Sequence, residues 1–146
     1  MKIKRINMQE TAPGAYKALL GLERYMNTTS LSPIEKELIK IRASQINRCA
    51  YCLNMHTRDA RKLRETEQRI YLLSAWQETE LFTETERIIL QLAEEVTLIA
   101  KGGVSDETYQ KAELLLGKEK LAEVIMAIIT INAWNRIAIS TLKPLD

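Results

Sequence analysis

The sequence is poor in the residues that make turns, staples and signals. Five glycines and three prolines in 146 residues are too few for a turn-rich all-β chain. Two cysteines cannot build a disulfide framework. Lysine and arginine number 21 against 19 aspartates and glutamates, so a net charge of +2 offers no electrostatic case for nucleic acid or an anionic membrane surface. The longest apolar stretch lies between Glu123 and Asn132 and includes Thr130, far short of a membrane span. Met1 to Thr11 carries lysines without an apolar core behind them, so no secretory signal is expected. These absences point to the cytoplasm, where a cysteine pair is more often catalytic or metal-binding than structural.

What is present is helical periodicity. Apolar residues make up 46% of the chain and charged residues 27%, a globular composition for one domain spanning 1–146 with its core over about 12–140. Thr11 and Pro13 open a stretch with Tyr16, Leu19, Leu20, Leu22 and Met26 on its apolar side. Ser32-Pro33-Ile34-Glu35 and Thr83-Glu84-Thr85-Glu86 read as capping boxes. Leu38, Ile39, Ile41 and Ile46 follow the first box; Ile88, Ile89, Leu92, Val96 and Ile99 follow the second. Asn47 is a plausible cap for a helix from Arg48 to Leu63, and a short helix is expected over Glu67–Leu73. Gly102-Gly103 ends one helix, Ser105-Asp106 starts another that Gly117 stops, and the last runs from Lys118 to about Ser140. That last helix is apolar nearly all round at its centre and is expected to be buried on most sides. The fold class is all-α, a bundle of about six or seven helices.

Chemistry concentrates in one segment. Cys49, Cys52 and His56, the only cysteines and the only histidine, fall within eight residues. On a helix they lie within roughly a 60° arc and share a face. Residues three apart have Cβ atoms about 5–6 Å apart, so a disulfide needs only modest closing. A cysteine in the first turn sits near unpaired N–H groups that favour the thiolate. His56 is placed to move protons, and a carboxylate from the preceding helix would fix its tautomer, Glu35 and Glu37 both being available. Three readings stay open on spacing alone: redox chemistry; a zinc site from Cys49, Cys52, His56 and Glu37; or buried cysteines and a structural histidine.

The pattern Glu-x11-Cys-x2-Cys-x3-His resembles the carboxymuconolactone decarboxylase superfamily, and within it the AhpD-like alkylhydroperoxidases. LSPIEKELIKIRAS, SQINRCAYCLNMHTRDARK and INAWNRIAI match in order, so the resemblance spans most of the chain. It implies an all-helical fold that forms trimers or hexamers, with peroxidase or disulfide-reductase activity. It implies that Cys52 meets the peroxide and that Cys49 resolves the resulting sulfenic acid into a Cys49–Cys52 disulfide. Glu37 and His56 would form a proton relay. The electrons would come from an external dithiol such as a lipoyl-bearing protein, with no bound cofactor or metal. Tyr51 stands where the best-known member has a histidine; a phenol titrates near 10 and is a poor base at neutral pH. Tyr51 is thus a relay or pocket residue. Asp59 either touches His56 or pairs with Arg58, Arg61 or Lys62. Met55 is a pocket wall, and Trp134, Asn135 and Arg136 are expected in packing and subunit contacts. The alternatives within this fold are a redox switch without turnover, and a decarboxylase or lactone enzyme using His56 and Glu37 as acid and base.

Overall fold

The computed structural model describes residues 3–146, and among them every regular element is helical. The elements are α1 (Met8–Thr11), α2 (Pro13–Met26), α3 (Pro33–Asn47), α4 (Ala50–Lys62), α5 (Glu67–Tyr71), a 3₁₀ turn (Leu73–Glu78), α6 (Glu84–Thr97), a second 3₁₀ turn (Ile99–Lys101), α7 (Asp106–Leu116) and α8 (Lys118–Ser140). Six of them reach seven residues or more, as the periodicity predicts; the short helix expected over Glu67–Leu73 forms as α5 and ends at Tyr71, while α1 and the two 3₁₀ segments are too short for periodicity to register.

Both capping boxes form. Ser32 Oγ accepts from the Glu35 N–H (3.1 Å) while Glu35 accepts from the Ser32 N–H (2.9 Å). Thr83 and Glu86 exchange the same pair of bonds at 3.1 and 2.9 Å. Each box satisfies orphan donors that would otherwise fray the first turn. α3 is then buried on two sides. Ile39 and Ala43 join Ile88, Ile89 and Leu92 of α6 and Val124, Ile128 and Ile131 of α8. Leu38 and Ile41 turn the other way, to Ile70, Leu73, Trp76, Phe82 and Leu90. Each fully buried Leu or Ile contributes about 1.5–3 kcal/mol over an exposed one, so α3 is the axis on which the bundle is built.

α8 is long and apolar enough to cross a membrane by length and composition. Here it packs against α2, α3, α4, α6 and α7. Asn135 in it is fully buried. Its amide donates to Ser44 Oγ (3.0 Å) and its carbonyl accepts from Asn47 Nδ2 (2.9 Å), which also reaches Asn132 Oδ1 (2.9 Å). Asn132 in turn donates to Thr97 Oγ1 at 2.9 Å. This chain of amides fixes the end of α3, immediately before the cysteines. Asn135→Leu strands the buried partners and is expected to cost about 1–3 kcal/mol. Thermal denaturation should show the midpoint falling by roughly 2–12 °C; an unchanged midpoint would mean the network holds nothing.

Three expectations are corrected. In α2 only Met26 is buried; Tyr16, Leu19 and Leu22 are half-buried and Leu20 is exposed, because α2 lies over α8 as an outer layer and lines a cavity. The helix before Gly102-Gly103 ends at Thr97, and Ile99 is left exposed in a 3₁₀ turn. Asn47 caps nothing: it is the last residue of α3, and its side chain serves the amide network.

Candidate functional site

The site begins with a turn that the sequence does not announce. Just past α3, Arg48 takes the left-handed conformation (φ 56°), normally a glycine position. The Arg48 N–H bonds to Gln45 O (3.2 Å) and the Cys49 N–H to Ser44 O (3.0 Å), closing the last carbonyls of α3. The chain reverses there, and α4 folds back onto α3. Cys49 is therefore not in the first turn of α4 but is its cap, in extended conformation, with Sγ accepting the Cys52 N–H at 3.3 Å. A sulfur receiving an N–H at the positive end of a helix is favoured as thiolate.

The two sulfurs are joined as a disulfide, with Cα atoms 5.3 Å apart. Both cysteines are buried beside Ala138 and Tyr51. They differ in access: Cys52 lines a cavity of about 330 Å³, and Cys49 does not. Tyr16, Leu20, Met55, Trp134 and Ile137 supply its apolar wall, and His56, Tyr51, Asp59, Glu23, Lys40 and Lys143 its polar groups. A larger groove of about 650 Å³ runs between the N- and C-terminal segments and meets this cavity at Tyr16, Ile137 and Lys143; neither sulfur nor His56 lines it.

The fold-back places His56 of α4 against Glu37 of α3, Nδ1 to Oε2 at 3.0 Å, with both side chains about nine-tenths buried. Lys40 Nζ lies 3.4 Å from the other Glu37 oxygen. Burial pushes the Glu37 carboxyl up. The His56 hydrogen bond and the charges of Lys40 and His56 outweigh it, and the group is held below the usual glutamate range. Glu37 is thus a carboxylate that only accepts, so the proton on the shared bond belongs to Nδ1. In the neutral ring Nε2 is then the basic nitrogen. Glu35 is engaged elsewhere, in its capping box and with Lys120 at 2.8 Å.

Asp59 joins Glu37 and His56, with one ligand atom from each lying within 4.8 Å of the others. Its ion-pair partner is Lys62, at 3.6 Å, one of the neighbours the sequence offers it. Among the described residues the set that could hold a metal ion is Glu37, His56 and Asp59, not the sulfur set, because the disulfide ties up both thiolates. Tyr51 and Met55 are cavity walls as expected. Trp134 does more than pack: it lines the cavity, meets Tyr16 edge to face at 5.2 Å, and donates to Glu23 at 3.0 Å. Arg136 is exposed, held by Asn132 Oδ1 at 2.8 Å. Sequence reasoning missed Lys40, which stands one turn after Glu37 and could have been found, and Lys143, which no local pattern marks.

The model of the family described as "Carboxymuconolactone decarboxylase family" matches residues 13–95. The chain is 42% identical over 137 residues to the uncharacterized protein YdfG of Bacillus subtilis (strain 168), covering 94% of this chain and 93% of that one. A solved structure from Agrobacterium tumefaciens, ATU0492, is similar with a TM-score of 0.94 and 37% identity over 99% of both chains; it is described as a protein of unknown function and a candidate antioxidant defence protein AhpD. An AhpD-core, peroxidase-related protein from Ralstonia eutropha JMP134 shares the fold alone, at a TM-score of 0.82 and 15% identity over 95% of this chain and 74% of that one.

Proposed function

Given that the chain belongs to the carboxymuconolactone decarboxylase family, we propose that it is a thiol peroxidase and disulfide oxidoreductase of the AhpD-like kind. One observation carries the reading: Cys52, bonded to Cys49, opens onto the same cavity as His56, whose Nδ1 is held by a buried carboxylate. In the reduced protein the Cys52 thiolate attacks the distal oxygen of a hydroperoxide. The O–O bond breaks, Cys52 becomes a sulfenic acid, and the alkoxide takes a proton to leave as an alcohol. His56 manages that proton, with Glu37 stabilising the imidazolium. The Cys49 thiolate, stabilised by the Cys52 N–H, then attacks Cys52 Sγ, the S–O bond breaks, and the departing hydroxide takes a proton from solvent through His56 to leave as water, giving the disulfide. An external dithiol, such as a lipoyl group on a partner protein, attacks Cys52 from the cavity. Cys49 leaves as the capped thiolate, and the dithiol departs oxidised. The sum is hydroperoxide plus dithiol giving alcohol, water and disulfide. No bound cofactor takes part.

We place this cycle in the cytoplasm, in a homo-oligomer. Ile99 and Ile129 are exposed around a shallow groove with Ala133 on α8, a surface suited to a second subunit. A second reading is favoured by the Glu37–His56–Asp59 cluster, which is assembled without help from the sulfurs: acid–base chemistry of the decarboxylase type. Thiol counting separates the two. One equivalent of cumene hydroperoxide should remove two thiols from reduced protein, and dihydrolipoamide should restore both. Protein that keeps both thiols while the peroxide persists would rule out the peroxidase cycle.

A further inference from the structure

We propose that Lys143, at the mouth of the Cys52 cavity, recognises an anionic group, so that the preferred substrates are compact organic hydroperoxides carrying a carboxylate. The inference deepens the peroxidase reading and rests on it for the reacting group; the anion site itself rests on the geometry of the cavity.

The backbone puts Lys143 there. α8 ends at Ser140, and Leu142 takes the left-handed conformation (φ 50°), which crowds the Cβ of any residue but glycine. The Leu142 N–H bonds to Ile139 O (3.3 Å) and the Lys143 N–H to Ala138 O (2.9 Å), the paired bonds of a helix-ending turn. Ala138 is itself a cavity residue beside the disulfide. Pro144 follows and cannot continue the helix. The turn thus anchors the backbone of residue 143 one hydrogen bond away from the cavity wall.

The charge of Lys143 is free for a ligand in a way its neighbours' charges are not. Among the charged side chains lining the cavity, Lys40 faces Glu37, Asp59 faces Lys62, and Glu23 takes the Trp134 N–H. Among the described residues Lys143 meets no carboxylate; its ammonium rests over the Tyr51 ring, 4.3 Å from the centroid. A charge-assisted hydrogen bond to a carboxylate is stronger than an exposed cation–π contact, so an arriving carboxylate competes for the ammonium. Lys143 also lines the adjoining groove, where Lys4 and Arg5 add positive charge and Asp146 is drawn to Arg58 at 3.7 Å. A substrate with its peroxide at Cys52 and its body against Met55, Trp134 and Ile137 presents its far end to this basic side. The volume of about 330 Å³ suits a small aromatic or branched body.

The test uses two matched pairs. Calorimetry on the oxidised protein compares 4-isopropylbenzoate with the neutral 4-isopropylbenzyl alcohol; turnover with dihydrolipoamide compares the para-carboxylate of cumene hydroperoxide with cumene hydroperoxide. The expected preference for the acid is about tenfold in Kd and in KM. Lys143→Gln should bring each ratio to about one, and Lys143→Arg should keep it. Equal binding of acid and alcohol by the unaltered protein, or a preference that survives Lys143→Gln, overturns the proposal. If the binding preference holds and is lost in Lys143→Gln while neither hydroperoxide is consumed, the anion site stands and the peroxidase reading falls.

Discussion

Cys52→Ser is expected to lower peroxide consumption by roughly 10³-fold or more, and Cys49→Ser to leave the first step intact and slow the rest of the cycle. The two variants differ because the sulfurs do. Cys52 is the one that lines the cavity, so without it no sulfur receives oxygen. A serine at 52 keeps the volume and faces the cavity, so the fold has no reason to fail. In Cys49→Ser the serine hydroxyl can take over the cap on the Cys52 N–H, a role for which serine is well suited. Cys52 should then gain the mass of one oxygen atom per equivalent of peroxide, and lose one thiol where the intact pair loses two. Turnover with dihydrolipoamide should fall by about 10²-fold, because the resolving thiol no longer sits three residues away. Intact-mass spectrometry and thiol titration on the same samples read both results. Full peroxide consumption by Cys52→Ser, or undiminished cycling by Cys49→Ser, would overturn the assignment of roles.

The legible and illegible parts of this protein divide by the range of the interactions that make them. Capping boxes are local: Ser32 with Glu35 and Thr83 with Glu86 lie three residues apart, and both form as the sequence dictates. The same holds for Gly117, which takes the positive φ that ends α7. Spacing and resemblance together name Cys49, Cys52, His56 and Glu37 as candidates; the structure joins the two cysteines and sets His56 against Glu37. Spacing alone could not choose Glu37 over Glu35, because the choice depends on how α4 folds back on α3. That fold-back is set by Arg48 in a conformation that favours glycine, and arginine gives no warning of it. Leu142 hides the turn that places Lys143 for the same reason. Resemblance marks Asn135 for packing, but no local pattern says which groups it meets. Its burial follows from partners 88 and 91 residues away, beyond any window of periodicity.

Glu37→Gln tests the proton relay and the electrostatics beneath it at once. The amide still offers an oxygen to Nδ1 of His56, so the ring keeps its place, but the negative charge that stabilises the imidazolium is gone. Activity should fall by roughly 10²-fold, within the range general acid–base contributions span. Stability should respond to pH in a defined direction. Burial raises the Glu37 pKa, and the His56 hydrogen bond with the charges of Lys40 and His56 lowers it further than burial raises it. The folded protein therefore holds the proton less tightly than the unfolded chain. Between the two pKa values the unfolded chain binds more protons, and stability rises with pH. The contribution is complete at neutral pH and is lost as pH falls from about 5 through the lowered folded-state value. Glu37→Gln lacks this dependence. The stability of the unaltered protein relative to Glu37→Gln should therefore be greatest near neutrality and shrink on acidification, as followed by denaturant midpoints from pH 7 to 3. A difference that stays constant across that range would mean that Glu37 is not held as a carboxylate by His56 and Lys40, and the relay would lose its anchor.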